Sequence, residues 1–346
     1  MRFGLGIGMG ALVALVILEG VFRFLPVSSG ARMAETDQVK PFAHYLPRQH
    51  YTYSLGWTLL NARRGMTNDQ GFTNSPDFSG QGGVLIVGDS FIESLMHEFP
   101  DTVQGRLDMA LGGNVFAAAA SGNGLADSLR IAEFYLPRLR PRALVIFVKH
   151  SELSALTSPP TRGHNGFVEE GGAVAVRHNV YQESPLKQVI QKSALARYLY
   201  FNLKFPDWLS KAVRVGGTVE TSSVTVAPAR MEKILNYYFS ELQKMAGATQ
   251  VQILFLIDAD REAIYSGQLS QKALRNKADR ETFLRAAPTY GLGVVNLQTV
   301  FEGHWMQRRE RMDYLPADGH WNPLAHQLAA AELLKHIKQA KAYREY

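Results

Sequence analysis

Apolar and polar positions along this chain follow two periods in turn. Five short, almost unbroken apolar runs stand out: Val84–Val87, Val115–Ala119, Ala143–Val148, Val251–Ile257 and Gly293–Leu297. Each has the length of a strand and is apolar enough to be covered on both faces. Between most of them the apolar residues recur at helical spacing. This holds for Ser90–Leu111, for Leu125–Leu139, for residues 228–245, and for Pro323–Ile337, where Leu324, Leu328, Ala331 and Leu334 share one face. Strands alternating with helices predict an α/β fold, a parallel sheet with helices on both faces.

The alternation is interrupted twice. Residues 152–227 contain GFVEEGGAVAV, the pattern of a hairpin turning at Gly171-Gly172, and then a helical piece over Leu186–Val213 rich in Tyr, Phe and Trp. Residues 259–288 form a second, charged helical insertion. Both follow strands, so both are expected at the sheet edge where ligands bind. The chain is thus expected to divide into a membrane or signal segment (1–26), a lead-in (27–79) and an α/β domain (80–346). The lead-in is rich in aromatics, Asn and Gly, and reads as short strands and turns rather than a linker.

The N-terminal segment departs from both periods. Phe3 to Leu18 carries no charge, Glu19 follows, and Arg23 closes the stretch. Counted through Phe24 it has about the length that crosses a bilayer core of roughly 30 Å. The uncharged part alone is nearer the apolar region of a signal peptide, and the best cleavage candidate, Ser29-Gly30-Ala31, lies late. An uncleaved transmembrane anchor is the expectation, with the bulk of the chain translocated by the charge of Arg2 and the amino terminus. Arg23 and Arg32, beyond the apolar stretch, pull against that orientation.

The 346 residues are 46% hydrophobic and 20% charged, a composition that folds. The net charge of +6 is scattered, with no basic stripe interleaved with aromatics, which argues against nucleic acid as a partner. There is no cysteine, so disulfides, thiolate metal sites and cysteine catalysis are excluded together. Neither the GxxxxGK[ST] phosphate loop nor the HExxH metal spacing occurs, and no metal or cofactor is expected. The G-x-S-x-G elbow of another hydrolase class is also missing.

Two short motifs carry the candidate chemistry. The first is VLIVGDSF, where Gly88 ends an apolar strand and Ser90 opens the next helix. Backbone N–H groups at such a helix start favour negative charge, the setting a serine needs when it attacks a carbonyl. The same letters read as a capping box, Ser90 with Glu93, in which Ser90 only caps its helix. The second is PADGHWNP, where Asp318 and His320 lie two apart on a predicted loop before the last helix, capped by Asn322-Pro323. A histidine titrates near neutrality and serves as base, and a carboxylate orients it. The alternation brings this loop to the same sheet edge as Ser90. Asp318 and His320 also suit a turn with no chemistry, and His304 and His326 are weaker candidates for the base.

Together, Gly88-Asp89-Ser90-Phe91 near the start of the domain and Asp318-Gly319-His320 before its last helix resemble the SGNH/GDSL hydrolase superfamily. The resemblance covers about residues 80–340. It is nearest to the membrane-anchored branch found with bacterial cell-surface polysaccharide acyl modification, which often shares the lead-in Asn68–Asn74 pattern N..GF.N. It implies a flavodoxin-like three-layer sandwich with Ser90 as nucleophile, His320 as base and Asp318 as its partner. Gly88 and Asp89 would support the serine. The second family block matches AASGNG, implying an oxyanion hole from the N–H groups of Ser90 and Gly122, with Asn123 as a further donor. In the third block the family has G-x-N-D, whereas this chain has Lys149-His150-Ser151-Glu152. Ser151 stands where the oxyanion asparagine is usual, with Ser151, His150 or Asn123 as substitutes. Ala325 also stands where a glycine is usual. The implied activity is that of an extracytoplasmic serine esterase or O-acyltransferase acting on acyl, in particular O-acetyl, esters of a cell-surface glycan. The implied location is the bacterial inner membrane, single-pass, with the domain in the periplasm and exopolysaccharide-assembly proteins as partners. The altered third block and the aromatic insertion leave a second reading, a catalytically inactive polysaccharide-binding or assembly subunit.

Overall fold

The computed structural model describes residues 2–78, 81–149, 151–205, 228–268, 270–315 and 318–339. The apolar N-terminal stretch forms one helix, α1 (Arg2–Phe24), whose part from Gly6 to Phe24 has a mean hydropathy of 1.9 and is exposed except where its last turns meet residues 193–198. The lead-in that follows is ordered around an antiparallel hairpin, β1 (His50–Leu55) and β2 (Leu60–Met66).

After the lead-in comes the sheet. Its five parallel strands are β3 (Val84–Gly88), β4 (Val115–Ala119), β5 (Ala143–Val148), β8 (Gln252–Ile257) and β9 (Gly293–Asn296), each within a residue of its apolar run. Their order is β4-β3-β5-β8-β9, the flavodoxin-like doubly wound arrangement. Successive side chains point to opposite faces, so each strand feeds two cores. Leu85 and Val87 join Leu144, Ile146, Phe255 and Ile257 on one face. That face is covered by α4 (Leu125–Leu139), α7 (Pro228–Thr249) and α9 (Gln271–Ala286). Val84 and Ile86 join Ala117, Val145, Leu256 and Val295 on the other. There α3 (Val103–Leu111), α10 (Leu297–Arg308) and α11 (Pro323–Gln339) complete the three layers.

Two predicted elements are corrected. Ser90–Leu111 is not one helix. It is α2 (Ser90–Glu93), a short 3-10 turn at Phe99–Asp101, and α3. Ser94 ends α2 in the left-handed region at φ 46°, Pro100 is the second residue of the 3-10 turn, and Thr102 caps α3 by accepting from the Gly105 N–H. FPDT is the break signal that the helical spacing concealed. The segment carrying Asp318 and His320 is not a loop but a strand. β11 (Asp318–Trp321) pairs antiparallel with β10 (Asp313–Leu315). Asn322 does cap the last helix, accepting from the Ala325 N–H at 3.0 Å.

The insertions follow β5 and β8. The first contains the expected hairpin, β6 (Asn165–Glu170) and β7 (Ala173–His178), turning at Gly171-Gly172. Its helical part divides into α5 (Pro185–Lys192), α6 (Ala194–Arg197) and a wide turn at Tyr198–Asn202. The remainder of the expected Leu186–Val213 helix, from residue 206 on, lies outside the described residues. The second insertion contains α8 (Arg261–Ser266) and α9.

Candidate active site

Ser90 stands one residue beyond the end of the helix cap. Asp89, not Ser90, is the N-cap of α2, its Oδ1 accepting from the Phe91 N–H at 2.9 Å. Glu93 does not reach back to close a capping box. Its buried carboxylate turns the other way and accepts from the Tyr45 and Ser121 hydroxyls. The Ser90 hydroxyl is therefore free of the helix, and it meets His320 Nε2 at 2.8 Å. On the other side of the ring, His320 Nδ1 lies 2.5 Å from Asp318 Oδ1, which also accepts the His320 backbone N–H at 3.0 Å. Three residues from the two ends of the domain thus form one hydrogen-bonded line. The Nδ1 hydrogen bond sets the tautomer that leaves Nε2 able to accept from a hydroxyl. The same bond to His320 holds the Asp318 carboxyl below its ordinary range.

Deep contacts fix the strand that carries the histidine. Trp321, fully buried, packs edge-on to Phe91 and Phe147. Its indole N–H donates to Asp258 Oδ1 at 2.9 Å, and its carbonyl meets His97 Nε2 at 2.8 Å. Arg261, buried at the start of α8, donates to Asp258 at 2.9 Å, to Asp313 at 2.8 Å, and to the Gly319 carbonyl. One guanidinium thereby ties both strands of the β10–β11 hairpin to the end of β8.

The lead-in braces the serine side. Asn68 Oδ1 accepts from the Gln70 and Phe72 N–H groups, and Phe72 is fully buried. Gly71 sits at φ +84°, and a Cβ there would come within 2.0 Å of the Tyr45 carbonyl oxygen, so only glycine fits. Asn74 donates to the Glu93 and Ser94 carbonyls at 3.0 and 2.6 Å, holding the left-handed turn that stops α2. The N..GF.N pattern is therefore a support for the serine turn.

The other site residues from the sequence gather around this line. Gly88 ends β3, where a Cβ would come within 2.4 Å of Ile92. Burial raises the Asp89 pKa to about 6. Gly122 takes φ +91° in the turn after β4. Among the described residues, neither its N–H nor that of Ser90 is taken by another group. Asn123 donates from Nδ2 to the Gly88 carbonyl at 3.2 Å, which commits one of its two hydrogens. Ser151 lies with Lys149 between two cavities. His150 lies outside the described residues.

Of the weaker base candidates, His326 is buried and accepts the Val103 N–H at 3.1 Å, with burial pushing its pKa well below the usual range. His304 pairs with Glu310 at 3.1 Å on the surface. Neither contacts Ser90.

Two cavities flank the line. The larger, about 790 Å³, lies beside Asp318, Gly319 and His320 and is walled by Lys149, Lys204, Asp260 and Glu262 among others. Most of the residues lining it are charged or polar, although their apolar atoms supply more of its surface, and no Trp or Tyr is among them. The smaller, about 380 Å³, lies on the Gly122 side with Asp89, Asn123, Glu152 and His164. Glu152 and His164 were not singled out in the sequence. Glu152 Oε2 accepts the Lys149 N–H at 3.2 Å, and burial pushes its pKa up to about 8. His164 brings Nε2 within 3.1 Å of where a Gly122 Cβ would stand. The one local signal for it was its place immediately before the β6 strand. No group of three or more metal-ligating side chains occurs among the described residues.

No family model matches the chain, and no curated protein does. Solved structures do. A member of the lipolytic G-D-S-L family from Veillonella parvula is 10% identical, with a TM-score of 0.38 over 75% of this chain and 100% of its own. A catalytic mutant of an acetylxylan esterase from Geobacillus stearothermophilus is 13% identical, with a TM-score of 0.40 over 78% and 100%. A putative SGNH hydrolase from Slackia heliotrinireducens is 14% identical, with a TM-score of 0.37 over 74% and 98%.

Proposed function

We propose that this chain is a membrane-anchored serine ester hydrolase or O-acyltransferase of the SGNH type, acting outside the cytoplasm on acyl esters of a cell-surface glycan. One observation carries the reading: the unbroken line from Ser90 Oγ through His320 to Asp318, at 2.8 and 2.5 Å. Its residues are those of the GDS and DGH motifs, and the charged residues that wall the cleft beside His320 support a hydroxyl-rich group over a long acyl chain.

In this mechanism His320 Nε2 takes the Ser90 proton as Oγ attacks the ester carbonyl. Asp318 keeps the ring in register and stabilises the imidazolium. The free N–H groups of Ser90 and Gly122 receive the oxyanion, with the Ser151 hydroxyl serving where the family has asparagine. His320 then gives its proton to the departing sugar oxygen. Water, or a second sugar hydroxyl, attacks the acyl-enzyme with His320 again as base. A hydrolase and a transferase differ only in which of these two arrives.

A fluorophosphonate probe on the full-length protein tests the reading. Wild type is expected to be labelled and to release acetate from acetyl esters, and Ser90→Ala to do neither. Labelling of Ser90→Ala equal to wild type would overturn it, and unlabelled wild type would favour a binding subunit instead.

A further inference from the structure

We propose that the segment Pro185–Phe205, together with the tip of the β1–β2 hairpin, lies in the headgroup layer of the bilayer that α1 enters, so that the cleft receives its acyl ester at the membrane surface. This deepens the proposed function and rests on its anchor and its esterase chemistry.

The first observation is depth. Glu19 lies five residues before the end of α1, about 7 Å along the axis at 1.5 Å per residue. Its carboxylate accepts from the Ser193 hydroxyl at 2.7 Å and from the Ala194 and Leu195 N–H groups at 3.1 and 2.9 Å. Phe22 stacks on Tyr198 with ring centroids 4.3 Å apart. The insertion therefore sits alongside the last turns of the apolar helix rather than beyond its end.

The second observation is the surface it shows there. α5 has no buried residue. Leu186, Val189 and Ile190 share one face, with Leu186 70% and Val189 63% exposed, while Lys187, Gln191 and Lys192 occupy the other. Leu199 and Tyr200 continue the exposed apolar surface past α6. Trp57, 74% exposed at the hairpin tip, is held to it, its carbonyl accepting from the Tyr198 hydroxyl at 2.9 Å. An amphipathic stretch with lysines on its polar face, flanked by Trp and Tyr, is the composition of an interfacial segment. Lipid is the occupant because this surface continues the exposed face of α1, and Arg23, Lys187 and Lys192 suit anionic headgroups.

The third observation joins the surface to the cleft. Leu55 and Gly56, which lead into Trp57, and Asn202 and Lys204, which follow Tyr200, line the same cavity as Asp318 and His320. One wall of the cleft is thus built from the membrane belt, which places the ester of a membrane-held carrier within its reach.

The chain has no cysteine, so single-cysteine labelling is clean. Full-length Leu186→Cys, Val189→Cys, Gln188→Cys and Leu15→Cys, each carrying an NBD label, are reconstituted in phosphatidylethanolamine–phosphatidylglycerol vesicles. Labels at positions 186, 189 and 15 are expected to be quenched by doxyl lipids, and the label at 188 by aqueous iodide. Quenching at 15 with iodide-accessible labels at 186 and 189 would overturn the inference and leave the anchor standing. An aqueous label at 15 would remove the anchor and the inference with it. Labels at 186 and 189 shielded from both quenchers would show a protein cover and overturn the lipid assignment. Leu186→Glu/Val189→Glu is further expected to lower turnover of a vesicle-embedded ester relative to a soluble one by about tenfold, and an unchanged ratio would overturn the link to the cleft. Wild type inactive on both esters would sink the esterase reading, while the quenching still reports the belt.

Discussion

Asp89 accepts the Phe91 N–H at 2.9 Å across the intervening Ser90, so the cap belongs to the aspartate and the hydroxyl to the histidine. The two possible roles of Ser90 are thereby separated onto adjacent residues. Ser90→Ala is expected to lose activity by about 10⁴-fold or more and yet to melt within about 0.5 kcal/mol of wild type. Asp89→Ala, which loses the cap, is expected to cost about 1 kcal/mol. Thermal melts beside ester turnover check both, and a Ser90→Ala variant destabilised as much as Asp89→Ala would return the cap to the serine.

Asp318→Asn keeps the shape of the pair and removes its charge. Turnover is expected to fall by about 10⁴-fold through the wrong ring tautomer and the lost support of the imidazolium. Fluorophosphonate labelling should slow in parallel. A loss under tenfold would mean that another group orients His320.

Arg261 is the tie whose loss the hairpin should feel most. Arg261→Ala leaves Asp258 and Asp313 without that cation, the former fully buried, and breaking such a buried pair costs about 3–5 kcal/mol. Activity at temperatures where the variant stays folded is also expected to fall, because the Gly319 carbonyl loses its donor beside His320. Calorimetry with activity measured well below the transition separates the two effects.

Glu152 gives a pH signature. Its folded pKa, raised to about 8, lies above the unfolded value of about 4.3. The stability of its neutral form is fully present below pH 4 and is lost as pH rises towards 8. Glu152→Gln should therefore match wild type near pH 4 and become more stable than it from pH 5 to 8, with the gap widening by up to about 1.4 kcal/mol per pH unit. Denaturant titrations at pH 4, 6 and 8 read this, and a constant difference would show that the carboxyl titrates alike in both states.

Gly71→Ala should fail to reach wild-type stability at any pH. The new methyl meets the Tyr45 carbonyl, and the φ of +84° is strained for any L side chain. A loss above about 2 kcal/mol is expected. Since Tyr45 also donates to Glu93, the variant's residual activity reports how far the serine turn depends on the lead-in.

The sheet was legible because four of its five strands are buried on both faces, β9 only in part, and that leaves continuous apolar runs with few alternatives. The meeting of Ser90, His320 and Asp318 was legible because GDS and DGH are compact motifs placed by that alternation. What stayed hidden depends on contacts distant in sequence. Nothing local to Ser94 announces a left-handed turn held by Asn74, twenty residues earlier. The strand at Asp318–Trp321 is four residues long and exists because Arg261 and Asp258 grip it. Glu152 stands in the sequence only as the last residue of the altered third block, and His164 reaches the site from an insertion whose own pattern speaks of a hairpin and a helix. Glu93 looked like half of a capping box because the spacing is right, but the pull of two hydroxyls on its buried carboxylate outweighs the local pattern.

The β10–β11 hairpin comes late in the α/β domain, while its serine partner follows the first strand of that domain's sheet. Ser90 and His320 are 230 residues apart, and most of the sheet is synthesised between them. A nascent chain in which β11 is not yet made carries a capped serine without its histidine partner. The hydroxyl meets His320 only when β11 docks against the core through Trp321, so under the proposed function turnover reports completed folding.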